Sequence, residues 1–147
     1  MSKKIISFLS VIVLLFLSIG VYQFYLSEKK LGLNEVVQVS EENLYSIIIA
    51  TSGTTETVSL NKDDHDKQLK EIRSLLADIE LKRSHRTASK ELYRIGFITK
   101  TAENERSISV YEEAIAIHYK NKKPTYYRVL DKEPLTQIIG ILLSENK

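Results

Sequence analysis

No cysteine, no tryptophan, a single methionine, two prolines and five glycines occur among the 147 residues of this chain. The missing cysteine excludes disulfides, thiol nucleophiles and cysteine-ligated metal sites. It also removes the residue through which an exported protein carries a lipid. Scarce glycine and proline leave no long flexible linker, and no tandem repeat or low-complexity run is present. A nucleophile elbow, a glycine-rich phosphate loop and a zinc helix motif are absent as well. These absences favour a non-enzyme.

Charge of one sign is lacking too, once position is considered. The formal net charge is +2, but Lys3, Lys4, Lys29, Lys30 and Glu28 flank one apolar segment. Setting them aside leaves 17 basic and 18 acidic residues of the 21 and 19 in the chain, a net of −1. Such a domain has no electrostatic reason to bind nucleic acid.

What the chain does have is an uncharged run over residues 5–26, IISFLSVIVLLFLSIGVYQFYL. As a helix it covers roughly 33 Å, enough to cross a hydrocarbon core of about 30 Å. Tyr22, Phe24 and Tyr25 stand near its end, where an interfacial aromatic belt lies. Ser18-Ile19-Gly20 offers a signal-peptidase site, so a cleaved leader competes with a retained anchor. The apolar character continuing to Leu26 favours the anchor. Lysines on both sides nearly balance the positive-inside comparison, and the short basic N-tail places the N-terminus in the cytoplasm. The expected organisation is a cytoplasmic tail at 1–4, a transmembrane signal anchor at 5–26, a juxtamembrane spacer at 27–34 and an extracytoplasmic domain at 35–147. That organisation implies a single-pass protein of the cell membrane, with the lipid bilayer as its first expected partner.

The domain length suits one core. Val36, Val37 and Val39 suggest a first strand, and residues 44–50 and 56–60 a hairpin around Gly53. Asn61 fits a helix N-cap, with Asp63, Asp64 and Asp66 favouring the helix N-terminus. Leu69, Ile72, Leu75, Leu76 and Ile79 then form one apolar stripe, predicting a helix over about 62–82. Strands are expected at 91–99, 107–111, 114–119 and 125–130, with turns at 102–105 and 121–124. Asp131 and Pro134 open a closing helix whose stripe is Leu135, Ile138, Ile139, Leu142 and Leu143. Consecutive strands with short turns imply an antiparallel sheet, hence an α+β two-layer domain. The long amphipathic helix should lie on one face, with a short C-terminal helix.

Candidate chemistry is sparse. Asp63-Asp64-His65-Asp66 has metal-ligand residue types, but consecutive helical positions diverge, and dipole compensation explains the acids. No metal or cofactor is expected. His118 stands in a strand with no acid or hydroxyl at a readable spacing. Arg83, His85, Arg86 and Lys90 make the one concentrated basic stretch. They are the expected partner contacts, against the plainer reading of a solvated loop. Tyr111, Tyr119, Tyr126 and Tyr127 crowd the second half. Packing within the sheet is their ordinary role, and an exposed subset beside Arg94 or Arg128 would have hot-spot composition.

The 58–60 strand, the amphipathic helix, Lys82-Arg83-Ser84-His85-Arg86, Tyr93-Arg94-Ile95-Gly96-Phe97 and Thr125-Tyr126-Tyr127-Arg128-Val129-Leu130 together resemble small exported or lipid-anchored YhfM-like domains from Gram-positive bacteria. The resemblance covers most of residues 44–143 and implies an envelope location but no activity. The expected function is a membrane-tethered, non-enzymatic binding or regulatory domain meeting another envelope protein. The alternative is an inhibitor or immunity-type protein that blocks a protease or toxin.

Overall fold

The structure, a computed structural model, describes residues 3–40, 42–84, 90–100, 106–120 and 122–144, with α1 side chains from residue 10. Helix α1 spans Lys3–Glu28. Next come β1 (Lys30–Gly32), α2 (Leu33–Val37), β2 (Leu44–Thr51), β3 (Thr57–Asn61), α3 (Lys62–Asp78) and β4 (Glu80–Arg83). The chain closes with β5 (Tyr93–Thr99), β6 (Arg106–Val110), β7 (Ala114–Tyr119), β8 (Thr125–Val129) and α4 (Glu133–Ser144). Among the described residues eight strands form one antiparallel sheet, ordered β1-β4-β8-β7-β6-β5-β2-β3. The α+β class and the antiparallel sheet are as the sequence implied.

Alternation sorts each strand into two faces. On the inner face Ile47, Ile49, Ile95, Phe97, Ile108, Ile115 and Ile117 are buried together with Leu69, Ile72 and Leu76 of α3 and Leu135, Ile138 and Leu142 of α4. Helices α2, α3 and α4 form the second layer. Helix α3 links β3, at one edge, to β4, next to the other. Its 17 residues make about 26 Å of helix, close to the roughly 29 Å of six inter-strand spacings. It therefore lies across the sheet and touches β1, β2 and β3 as well as both other helices of its layer.

Several elements differ from the sequence reading. Residues 30–37, expected as spacer and the start of a strand, build β1 and α2. Lys30-Leu31-Gly32 pairs with β4, and Leu33 donates its N–H to Ile79 O at 3.0 Å. Leu33 and Val37 are buried, so this stretch belongs to the core. The long helix stops at Asp78, four residues early, because the backbone turns extended at Ile79 to form β4. Leu81 then buries opposite Val129, and Arg83 leaves the expected loop for the strand. Asn61 occupies the N-cap position without a side-chain cap bond; its Oδ1 accepts from Ser46 at 2.8 Å instead. Asp131 does cap α4, accepting the Glu133 N–H at 3.0 Å. Gly53, at φ 82°, takes the left-handed turn position that a side chain would resist. The turn expected at 102–105 lies outside the described residues.

Counted over the described residues, no helix is long and apolar enough to cross a membrane. The described side chains of α1 take in only the later part of the uncharged 5–26 run. Within it, Leu14, Phe16, Leu17, Val21, Phe24 and Tyr25 are each at least 60% exposed, unlike the apolar residues of α4. The helix meets the rest of the fold at β4, where Glu28 pairs with Lys82 at 2.7 Å.

Candidate functional site

The outer face of the sheet carries a compact polar and aromatic patch. Cross-strand register aligns Ala50, Arg94, Ser109, Ala116 and Tyr126 in one row over five neighbouring strands. Two of these, Ser109 and Ala116, are fully buried although they lie away from the hydrophobic core. The larger side chains around them therefore form a closed layer.

Arg94 and Glu91 make a fork-to-fork pair, with Nε donating to Oε1 at 3.0 Å and Nη2 to Oε2 at 2.9 Å. Those hydrogen bonds hold the Glu91 carboxyl below its usual range against partial burial, with further help from the Ser109 hydroxyl. The same pair raises Arg94. Ser109 Oγ also lies 2.8 Å from His118 Nε2. His118 is shifted downward, first by desolvation and then by the Arg94 charge, so its neutral form is favoured. Tyr111 and Tyr126 pack with ring centroids 6.2 Å apart at a 42° tilt. Burial raises the Tyr111 hydroxyl, and Tyr126 and Glu91 raise it further. The finished patch presents an exposed, pre-positioned guanidinium beside two half-buried tyrosines and an imidazole.

A serine hydrogen-bonded to a histidine has the contact of a nucleophile and its base. Here Ser109 has 0% exposure, which bars a substrate carbonyl from its Oγ, and Glu91 is turned to Arg94. The geometry serves positioning rather than attack.

Cavities flank the sheet among the described residues. One of about 290 Å³ lies between α3 and the segment after α2, lined by Asn34, Ser40, Lys70, Arg73 and Ser74. Another, about 220 Å³ and mostly apolar, adjoins the patch at Leu92 and Tyr111 and runs under Leu135 and Ile139 of α4. Neither gathers converging acids deep inside. Among the described residues no three His, Asp or Glu side chains could hold one metal ion. In the Asp63–Asp66 segment, Asp63 accepts from the Tyr45 hydroxyl at 2.9 Å and Asp66 pairs with Lys70 at 2.7 Å.

The basic stretch is divided. Arg83 stands opposite Tyr127, whose side chain takes the inner face, so Arg83 is on the other side of the sheet from Tyr126. Exposed Lys90 directly precedes Glu91 and joins the patch margin. His85 and Arg86 lie outside the described residues. Sequence spacing had brought Tyr111, Tyr126 and Arg94 into view, but not Glu91 or Ser109. A carboxylate three residues before an arginine was the available signal. A scan against protein-family models, a search of curated proteins and a search of solved structures find no match.

Proposed function

We propose that this chain is a membrane-tethered, non-enzymatic binding or regulatory domain of the bacterial cell envelope. Helix α1 is its single-pass anchor, the N-terminus lies in the cytoplasm, and the folded domain outside meets another envelope protein. The tether reading rests on the uncharged run in α1 and on its exposed apolar side chains, which the domain leaves uncovered. The Gram-positive setting rests on the resemblance alone.

The observation that carries the binding reading is the outer-face patch. Tyrosine and arginine are the residues on which interface energy concentrates, and Arg94 is fixed in place by Glu91 before any partner arrives. Lys90 extends its positive rim and is proposed to speed encounter with an acidic surface, whereas Arg83 lies on the other side of the sheet and takes no part in this patch. The same patch suits an inhibitor or immunity-type protein, and the identity of the captured neighbour separates the two: a protease or toxin favours the second.

The test is photocrosslinking in intact cells, with a photoreactive residue replacing Tyr126 or, as control, Glu56 on the hairpin. A defined adduct from position 126 alone, reduced by Arg94→Ala, is the expected result. Equal labelling from both positions would remove the patch as the interface.

A further inference from the structure

Among the described residues, the exposed charges of the domain separate along the strand direction, and the positive pole is at the end where α1 enters. Strand directions alternate from β1 through β4 and β8 to β7. The start of β1, the end of β4 and the β7–β8 turn therefore share one end of the sheet. Lys29, Arg83, Lys120, Lys122 and Lys123 stand there, all exposed. None of the five is in an ion pair among the described residues. The opposite end carries the β2–β3 turn, the β6–β7 turn and the entry to α4, with exposed Glu56, Glu112, Glu113, Asp131 and Glu133. Among the described residues, exposed charges against the trend are Lys90, Arg94, Arg128 and Lys132 at the negative end, with Arg94 paired to Glu91, and Glu28, Glu42, Asp63 and Asp64 at the positive one. Of these, Glu28 is neutralised by Lys82, and Asp63 and Asp64 follow β3 at the far edge of the sheet.

We propose that the positive end rests on the anionic headgroups of the bilayer that α1 enters, giving the domain one preferred orientation on the membrane. This inference rests on the tether reading. Four to eight basic residues beside an anchor are enough to hold a segment to anionic lipid, each contributing about fivefold in surface partitioning. On the domain side of the helix, the linear sequence places only Lys29 and Lys30. Folding supplies the rest, from the end of β4 and the β7–β8 turn.

The chain has no cysteine, so one introduced thiol takes a fluorophore uniquely. Full-length Pro124→Cys and Glu113→Cys report from opposite ends of the sheet. Each is reconstituted into phosphatidylcholine vesicles carrying a headgroup-linked quencher, with or without phosphatidylglycerol. Flotation with the pure phosphatidylcholine vesicles reads the tether by itself. The expected result is strong quenching at 124 and little at 113 when phosphatidylglycerol is present. That difference should vanish without the anionic lipid, in Lys122→Glu/Lys123→Glu, and in about 1 M salt, where the Debye length is near 3 Å. Failure to float would defeat the tether and this inference with it. Normal flotation with equal quenching at both ends would overturn the orientation alone.

Discussion

The two faces of the sheet are made by alternate residues of the same strands, yet they solve different problems. Phe97 and Ile98 are neighbours in β5. Phe97 is 2% exposed under the helical layer, whereas Ile98 is 39% exposed on the outer face. The inner face is held by apolar contact with α3 and α4, where any loss leaves a void. The outer face is held by a short chain of polar contacts from Arg94 through Glu91 and Ser109 to His118, where position matters more than volume. Apolar packing and polar positioning are thus assigned to opposite sides of one set of backbone hydrogen bonds.

That division predicts a large asymmetry between adjacent substitutions. Phe97→Ala should cost about 3–5 kcal/mol, the range for emptying a buried aromatic site. Ile98→Ala should stay within about 0.5 kcal/mol, as surface substitutions do. Denaturant unfolding of the full chain in detergent measures both, and comparable losses would erase the distinction between the faces.

A smaller effect sharpens it. Glu91→Gln releases the Arg94 fork, a pair with 56% and 22% side-chain exposure, and pairs of that kind contribute about 0.2–1 kcal/mol. Stability should fall by no more than that, while crosslinking from position 126 falls clearly, because the guanidinium loses its fixed direction. A variant that unfolds readily but still crosslinks normally would assign Glu91 to cohesion instead.

The smallest effect is in pH. His118 is shifted below its ordinary value of 6.5 in the fold, so the unfolded chain binds its proton first. Its contribution is constant above that pH and is lost as pH falls from 6.5 toward the folded value. Glu91, also shifted down, from 4.5, stabilises above that value and loses its contribution as pH falls through its lower folded one. Acid unfolding should therefore show an early component that His118→Gln removes and a later one that Glu91→Gln removes. The titration of Tm with pH in the two variants checks the order.

How much of this could be read from the residues depends on how local each signal was. The boundaries expected for β7 match, and the α3 stripe is buried as expected at Leu69, Ile72 and Leu76, because periods of two and of three to four are properties of a single segment. Strand β4 hid inside the helical pattern, since Ile79 follows Leu76 at a helical step before the backbone extends. β1 is three residues long and exists by pairing with β4, a partner about fifty positions away that no local pattern announces. The patch was half legible. Alternation put Arg94 and Tyr126 on one face or the other of their strands, but only the register of three strand pairings makes them members of one row. Glu91 was absorbed into a strand and so was never weighed as a clamp.

Lys29 alone separates the last residue of α1 from the first of β1, and its N–H still bonds back to Tyr25 O at 3.1 Å. A flexible linker of twenty residues would let a domain search roughly 25 Å around its attachment. This junction gives no such radius. Helix and sheet must turn together, so a tilt of α1 becomes a tilt of the patch; under the proposed tether, any partner of the domain has to be delivered to a fixed height rather than sought.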